Sequence, residues 1–262
     1  MGVLNVTPDS FSNGGRHYAP ADAIRRGLEI VEEGAAIVDV GGESTRPGAD
    51  PVPAEEEWRR VAPVLQGLVR KIDTPVSIDT RKPEIAEKAI ESGAAVVNDI
   101  TGLSDPGMIP LVAKYAAGAV IMHMRGDPKT MQDAPRYTDV VAEVRGFLAD
   151  RAKAAIAAGV PREAIAVDPG IGFGKQVAHN LALLRGLGDI AALGHPIVVG
   201  VSRKSFIGLL GGGDPGERLP GSLAATTLAV AHGAHVVRAH DVIETVRAMR
   251  IADAVLRGRE NL

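Results

Sequence analysis

The chain has 262 residues, 45% of them hydrophobic and only 3% aromatic, with a formal net charge of -3 and no cysteine. This length suits one large domain or two small ones, with a core of Ala, Val, Ile and Leu. The mild negative charge argues against nucleic acid or an anionic membrane as partner. The lack of cysteine excludes disulfides, thiolate metal sites and a cysteine nucleophile, and is compatible with a cytoplasmic setting.

No apolar run is long enough to span a membrane, and no signal peptide is expected, because Met1-Gly2-Val3-Leu4 enters a strand pattern at once. From there apolar runs alternate with helical patterns. The runs Val3–Val6, Ala36–Val40, Val76–Ile78, Val96–Ile100, Ala119–Met124, Ile165–Val167, Ile197–Val201 and Val236–Ala239 are expected strands. A helix is expected over Ala21–Glu33, where Ile24, Leu28 and Val31 share a face, and another over Pro83–Ser92, through Ile85, Ala86, Ala89 and Ile90. Pro20 and Pro83 sit where a first helical turn tolerates proline. Gly211–Gly216 is expected as a flexible loop between the seventh strand and its helix. Asp241 with Glu244 looks like an N-cap and its reciprocal partner, opening a last helix to about Leu256.

Four segments share one plan: Gly34 to Asp39, Gly93 to Asn98, Gly118 to His123 and Gly233 to Arg238. A helix ends on a glycine in the left-handed conformation, a small residue follows, and an apolar strand ends in a polar residue. Asp79 and Asp168 end their strands in the same way. Eight βα units of roughly 30 residues in the chain point to an α/β fold, a (β/α)8 or TIM barrel, with the polar strand ends converging on the C-terminal mouth. Continuous apolar strands fit a parallel sheet buried on both faces. A doubly wound open sheet would need fewer strands and would gather its chemistry at one switch point. No linker divides the chain, so residues 1–262 are expected to form a single domain.

The expected mouth holds three acids (Asp39, Asp79, Asp168), the amide Asn98, and the cations Arg46, Lys204, Arg238 and His240. Buried carboxylates need donors, which a ligand rich in N–H groups would supply; internal salt bridges among the same residues would do so too. Arg238 and His240, two apart on one strand face, suit a phosphate. Lys204 stands where barrel aldolases carry a Schiff-base lysine, and equally suits a hydrogen-bond donor. Gly170-Ile171-Gly172-Phe173-Gly174 lacks the spacing of a dinucleotide fingerprint, and Pro169 interrupts it. His232 and His235, like His179 and His195, fit solvated or capping roles better than metal binding. Met108, Met122 and Met124 suit core positions.

Taken together, several segments resemble the dihydropteroate synthase family: Gly2-Val3-Leu4-Asn5-Val6-Thr7-Pro8-Asp9-Ser10-Phe11-Ser12, Gly41-Gly42-Glu43-Ser44-Thr45-Arg46-Pro47-Gly48, Ser77-Ile78-Asp79-Thr80, Asn98-Asp99-Ile100, Met122-His123-Met124, Asp168-Pro169-Gly170-Ile171-Gly172-Phe173-Gly174-Lys175, Ser202-Arg203-Lys204-Ser205 and Arg238-Ala239-His240-Asp241. The match runs in order from the first strand to the last.

The resemblance implies a transferase of folate biosynthesis that joins 4-aminobenzoate to 6-hydroxymethyl-7,8-dihydropterin diphosphate, releasing diphosphate in an SN1-like step. It implies that Asp168 holds the 2-amino edge of the pterin, that Asn98 and Asp79 take other ring nitrogens, and that Lys204 takes the carbonyl oxygen. Met122 and Phe173 would pack on the rings. Asn5 would ligate a Mg2+ bound to the diphosphate, which Arg238 and His240 would grip. Phe11, Thr45, Arg46, Pro47 and Ser202 would form the aminobenzoate pocket. A homodimer is implied, with the Ala-rich helix Ser222–Ala231 offering a flat packing face. Sulfonamides would be inhibitors.

Two departures stand out. Asn13 replaces the family's acid in the first loop, which implies slower turnover. The chain also begins inside the first strand, where relatives carry a preceding hairpin, so a truncated start or a more exposed barrel floor is expected. Two rivals remain: a barrel that passes a methyl group from methyltetrahydrofolate to a corrinoid protein, and a non-catalytic pterin-binding paralogue. Thr45-Arg46-Pro47 and Ser202-Arg203-Lys204 argue against the first, and the retained Asn5, Arg238 and His240 against the second.

Overall fold

The computed structural model describes residues 1–7, 20–46 and 48–258. Eight strands appear in chain order: β1 (Gly2–Asn5), β2 (Val38–Gly41), β3 (Val76–Asp79), β4 (Val96–Asp99), β5 (Gly118–Met122), β6 (Ile165–Asp168), β7 (Val198–Gly200) and β8 (Val236–Arg238). Each lies within a residue or two of an apolar run read from the sequence. Ten helices are described: α1 (Pro20–Glu32), α2 (Ala54–Val69), α3 (Pro83–Glu91), α4 (Met108–Tyr115), α5 (Val140–Ala157), α6 (Val177–Arg185), α7 (Leu187–Ala191), α8 (Ser205–Gly211), α9 (Leu219–Ala231) and α10 (Val242–Arg257).

All strand pairs are parallel. β1 to β6 form one sheet in sequence order, and β7 pairs with β8. Two single bridges complete the circuit, Val167 to Ile197 and Gly2 to Ala239. Backbone hydrogen bonds support them, with Val167 N donating to Pro196 O at 2.9 Å and Val3 N donating to Ala239 O at 3.0 Å. The result is the expected (β/α)8 barrel. Its core lies between strands and helices, where Leu4, Ile78, Ile121 and Ile165 meet Ile30, Leu65, Leu68, Ile85 and Leu148, all essentially free of solvent. At the base of the strands a cavity of about 400 Å³ opens beside Met1, lined by Ala35, Ile37, Val237, Val242 and Met249.

Three local expectations change. Gly34, Gly93 and Gly233 do take positive φ after their helices, but Gly118 does not. Ala116 makes the left-handed turn at the end of α4, and Gly118 starts β5. Asp241 makes no capping bond to α10. Its carboxylate accepts instead from Arg203 Nε at 2.8 Å, and an ion pair to a guanidinium outweighs a neutral N–H. The loop after β7 is split, because α8 intervenes before the glycine-rich run.

Candidate active site

Parallel register lines up the strand ends. Asn5 lies opposite Gly41, Gly41 opposite Asp79, and Asp79 opposite Asn98, giving one row across β1 to β4. Gly41 adds no side chain to this row between Asn5 and Asp79. Farther round, Met122 pairs with Asp168 and Gly200 with Arg238.

The first cluster is built on Arg238. Its Nε donates to Asp39 Oδ2 at 2.6 Å and its Nη2 to Asp79 Oδ2 at 2.7 Å. Asn98 Nδ2 also donates to Asp39 Oδ2, at 3.1 Å. Asp39 is therefore not a strand-end acid at the mouth. It sits two residues below Gly41 on the same face of β2, level with Ser77, fully buried. Its Oδ1 has no partner. Burial pushes the Asp79 carboxyl up, Arg238 opposes that, and the Asp39 charge adds to it. The Arg238 guanidinium, whose charge burial disfavours, is held above its ordinary value by these two acids.

The second cluster surrounds Asp168, which is 5% exposed. Its Oδ1 accepts from Gly170 N at 2.7 Å. Burial pushes this carboxyl up, while Lys204 and the Gly170 N–H oppose the shift. Lys204 donates to the Ile171 carbonyl, and its Nζ lies 4.5 Å from the centroid of the Phe173 ring. Burial pulls Lys204 down to about 8, with Asp168 pushing back. Gly172, at φ +83°, makes this approach possible: a Cβ would stand 2.9 Å from Lys204 Cδ. Met122 ends β5 nearby, 4% exposed. An acceptor, a donor and an aromatic face thus share one corner of the mouth.

The third cluster joins β7 and β8. Ser202 Oγ lies 3.1 Å from His240 Nδ1 and accepts from His240 N at 3.2 Å. Burial, then the charges of Arg238 and Arg203, depress His240 to about 4. It is therefore a neutral imidazole at pH 7, not the cation expected. Arg46, exposed on the loop after β2, adds its charge there. Thr45 is partly buried on the same loop. Phe11, Asn13 and Pro47 lie outside the described residues.

A further ion cluster escaped sequence reasoning. Lys82 donates to both Glu43 and Glu57, and Arg81 donates to Glu43 at 3.0 Å. Together they tether the loop that carries Thr45 to α2 and α3. Glu57 is fully buried, and burial raises its pKa despite Lys82. The signal was present: Glu57, Val61, Val64, Leu65 and Leu68 share one face of α2 at helical spacing.

The discounted histidines behave as expected in three cases. His179 caps α6 with Gln176, His235 Nδ1 accepts from Ile197 N at 3.2 Å, and His232 ends α9. His195 instead is buried, with Nδ1 unpartnered. Among the described residues no three His, Cys, Asp or Glu side chains gather as a metal site.

Residues 1–240 match a family model described as "Pterin binding enzyme". The dihydropteroate synthase of Escherichia coli K12 is 47% identical over 261 residues, covering 100% of this chain and 93% of that one. Among solved structures, Xanthomonas albilineans dihydropteroate synthase with 4-aminobenzoic acid superposes with a TM-score of 0.92 at 48% identity, covering 97% and 92% of the two chains. The Yersinia pestis enzyme in a sulfonamide complex gives 0.93 at 41% identity, covering 99% and 94%. With the family model spanning the barrel from β1 to β8 and relatives of this identity matching nearly end to end, the chain belongs to the dihydropteroate synthase family of pterin-binding enzymes.

Proposed function

We propose that the chain, acting as a single-domain barrel, is a dihydropteroate synthase. It would condense 6-hydroxymethyl-7,8-dihydropterin diphosphate with 4-aminobenzoate to give 7,8-dihydropteroate and diphosphate. The observation that carries this reading is the corner where the Asp168 carboxylate, the Lys204 ammonium and the Phe173 ring meet. A flat heterocycle with an amino edge and a ring carbonyl satisfies all three. The amino group donates to Asp168, the carbonyl accepts from Lys204, and Phe173 and Met122 take the faces. Asn98 and Asp79 complete the ring contacts.

In the reaction the C–O bond to diphosphate breaks, and its electron pair leaves with the diphosphate. The pterin methylene carbon is left as a delocalised cation. Asp79 and Asp168 provide fixed negative charge beside it, which lowers the transition state without a covalent enzyme adduct. The arylamine nitrogen attacks this carbon and gives up a proton. Thr45, Arg46, Pro47, Ser202 and Phe11 form the aminobenzoate pocket. Arg238 and His240 face the leaving diphosphate, with Arg238 positioned by its acids.

Magnesium fits this donor set through Asn5. Asn5 ends β1 beside the mouth and offers one hard amide oxygen. Mg2+ is commonly held by one or two protein oxygens plus substrate phosphates and water. It would supply charge neutralisation at the diphosphate. We further infer a cytoplasmic homodimer. Exposed Leu228 on α9 with Ile251 and Val255 on α10 gives an apolar face for self-association. No described helix is long and apolar enough to cross a membrane.

Diphosphate release from the purified protein tests the function. Release should require both substrates together and should fall when a sulfonamide competes with 4-aminobenzoate. Methyl transfer from methyltetrahydrofolate, or binding of the pterin without turnover, would overturn it.

A further inference from the structure

Lys175 closes the glycine-rich run after Asp168, yet it is 3% exposed. Its Nζ lies 3.0 Å from His123 Nδ1 and donates to the His123 carbonyl at 3.2 Å and the Phe173 carbonyl at 2.9 Å. Three acceptors around one nitrogen match the three N–H donors of an ammonium group, with His123 carrying its proton on Nε2. Burial and the Lys175 charge hold His123 down to about 3, so it remains neutral and able to accept. Burial pulls Lys175 down to about 7, while Asp168 favours its charged form. A charge this deep costs stability unless its contacts repay it.

These contacts join two segments that pack almost without clearance. A Cβ on Gly170 would stand 1.9 Å from the His123 carbonyl oxygen, and one on Gly174 would stand 2.4 Å from that of Arg125. Tyr137 Oη donates to the Gly174 carbonyl at 2.8 Å, and His123 N donates to the Asp168 carbonyl at 3.0 Å. Asp168 is thus gripped at its own backbone and through Gly170 N. Gly170 in turn begins the loop whose far end Lys175 ties to the end of β5. The Phe173 carbonyl held by Lys175 belongs to the residue whose ring lies beneath Lys204.

We propose that Lys175 is a positioning residue: its ammonium group pins the 170–174 loop onto the end of β5, and so sets Asp168 and the Phe173 ring at the orientation that receives the pterin. This rests on the reading of the chain as a dihydropteroate synthase. The hydrogen bonds of Lys175 run to His123 and Phe173, and none is to a described residue of the loop carrying Thr45 and Arg46, so its effect falls on one substrate.

The test is Lys175→Met, which keeps the length and removes the donors. The KM for pterin diphosphate is expected to rise about tenfold to a hundredfold, as for a misplacement of roughly an ångström. The KM for 4-aminobenzoate should stay within about twofold, since its pocket lies on other loops. The chain has no cysteine, so Lys175→Cys can be alkylated at a single thiol. Treatment with 2-bromoethylamine in denaturant, followed by refolding, restores a side chain of lysine length ending in an ammonium group. The refolded, alkylated protein should regain the pterin KM, and the unalkylated one should not. If Lys175→Met fails to fold, this pair carries the comparison. An unchanged pterin KM, an equal loss for both substrates, or no recovery on alkylation overturns the proposal. Wild-type protein without synthase activity would overturn the function instead; active wild type with an indifferent Lys175→Met removes the positioning role alone.

Discussion

Arg238 Nη2 lies 2.7 Å from Asp79 Oδ2, closing a contact between residues 159 apart in sequence. The same guanidinium reaches Asp39, so one cation serves two buried acids. Arg238→Met should therefore leave both carboxylates uncompensated. The loss is expected to be about 3–5 kcal/mol, the usual cost of breaking a buried pair from one side. Urea unfolding at pH 7 measures it. Adding Asp39→Asn should recover part of the loss. A single variant as stable as the wild type would mean that the pairs are absent in solution.

Asp168 carries a stability cost that its proposed contact with the pterin would explain. Its folded-state pKa is raised above the ordinary 3.8, chiefly by burial. Folding thus tightens proton binding at this carboxyl, and stability falls as pH climbs from 3.8 through the raised value. Asp168→Asn should melt higher than the wild type at pH 8, with the difference shrinking toward pH 4. The same variant should bind the pterin more weakly by about 1–3 kcal/mol, the cost of a mispaired buried polar contact. A melting difference independent of pH, or near-normal pterin affinity by calorimetry, would contradict this.

Gly170→Ala tests the tight seam beneath the proposed pterin corner. The residue has φ +67°, and its Cβ would meet the His123 oxygen at 1.9 Å. A left-handed non-glycine residue alone costs about 1–2 kcal/mol, and backbone oxygen cannot swing aside as a flexible side chain would. We expect a lower melting temperature and a raised pterin KM together. Unchanged values for both would show that the loop can shift freely.

His240 should take up a proton when the diphosphate arrives. It is depressed to about 4 in the free protein, by burial first and then by Arg238. An adjacent anion reverses the electrostatic part and raises it. Calorimetric titration with pterin diphosphate near pH 6, in two buffers of different ionisation enthalpy, should show more proton uptake for the wild type than for His240→Gln. Equal uptake would remove His240 from the anion site.

Much of this was legible in the sequence for a simple reason. In a parallel sheet buried on both faces every strand is a short apolar run, so β1 to β8 stand out against their amphipathic helices. The polar residues that end several runs, Asn5, Asp79 and Asp168 among them, then point to the mouth. Depth was less legible. Asp39 and Asp79 look alike as acids in apolar runs, and only the register shows that Asp39 lies a layer below. Three-dimensional partners were illegible. Nothing local reveals that Asp241 turns from its helix to Arg203, or that Lys175 folds back on His123. Glu57 was a readable signal passed over, because its acidic neighbours Glu55 and Glu56 suggest a solvated turn while its spacing to Val61 and Leu65 says otherwise.

The two seams of the barrel set an order of events. Among the described residues, the strand pairing that joins β7 and β8 to the other six consists of two single bridges, Val167–Ile197 and Gly2–Ala239. Asp39 and Asp79 belong to the six, while their counterion Arg238 belongs to β8. A ribosome makes the acids first. A growing chain that has reached β6 holds two carboxylates destined for the interior and no guanidinium to receive them. The arrival of β8 therefore does two things at once, closing the ring geometrically and making its interior tolerable for ionised acids. Nascent chains halted before β8 should stay open and protease-sensitive, however complete their hydrophobic pattern.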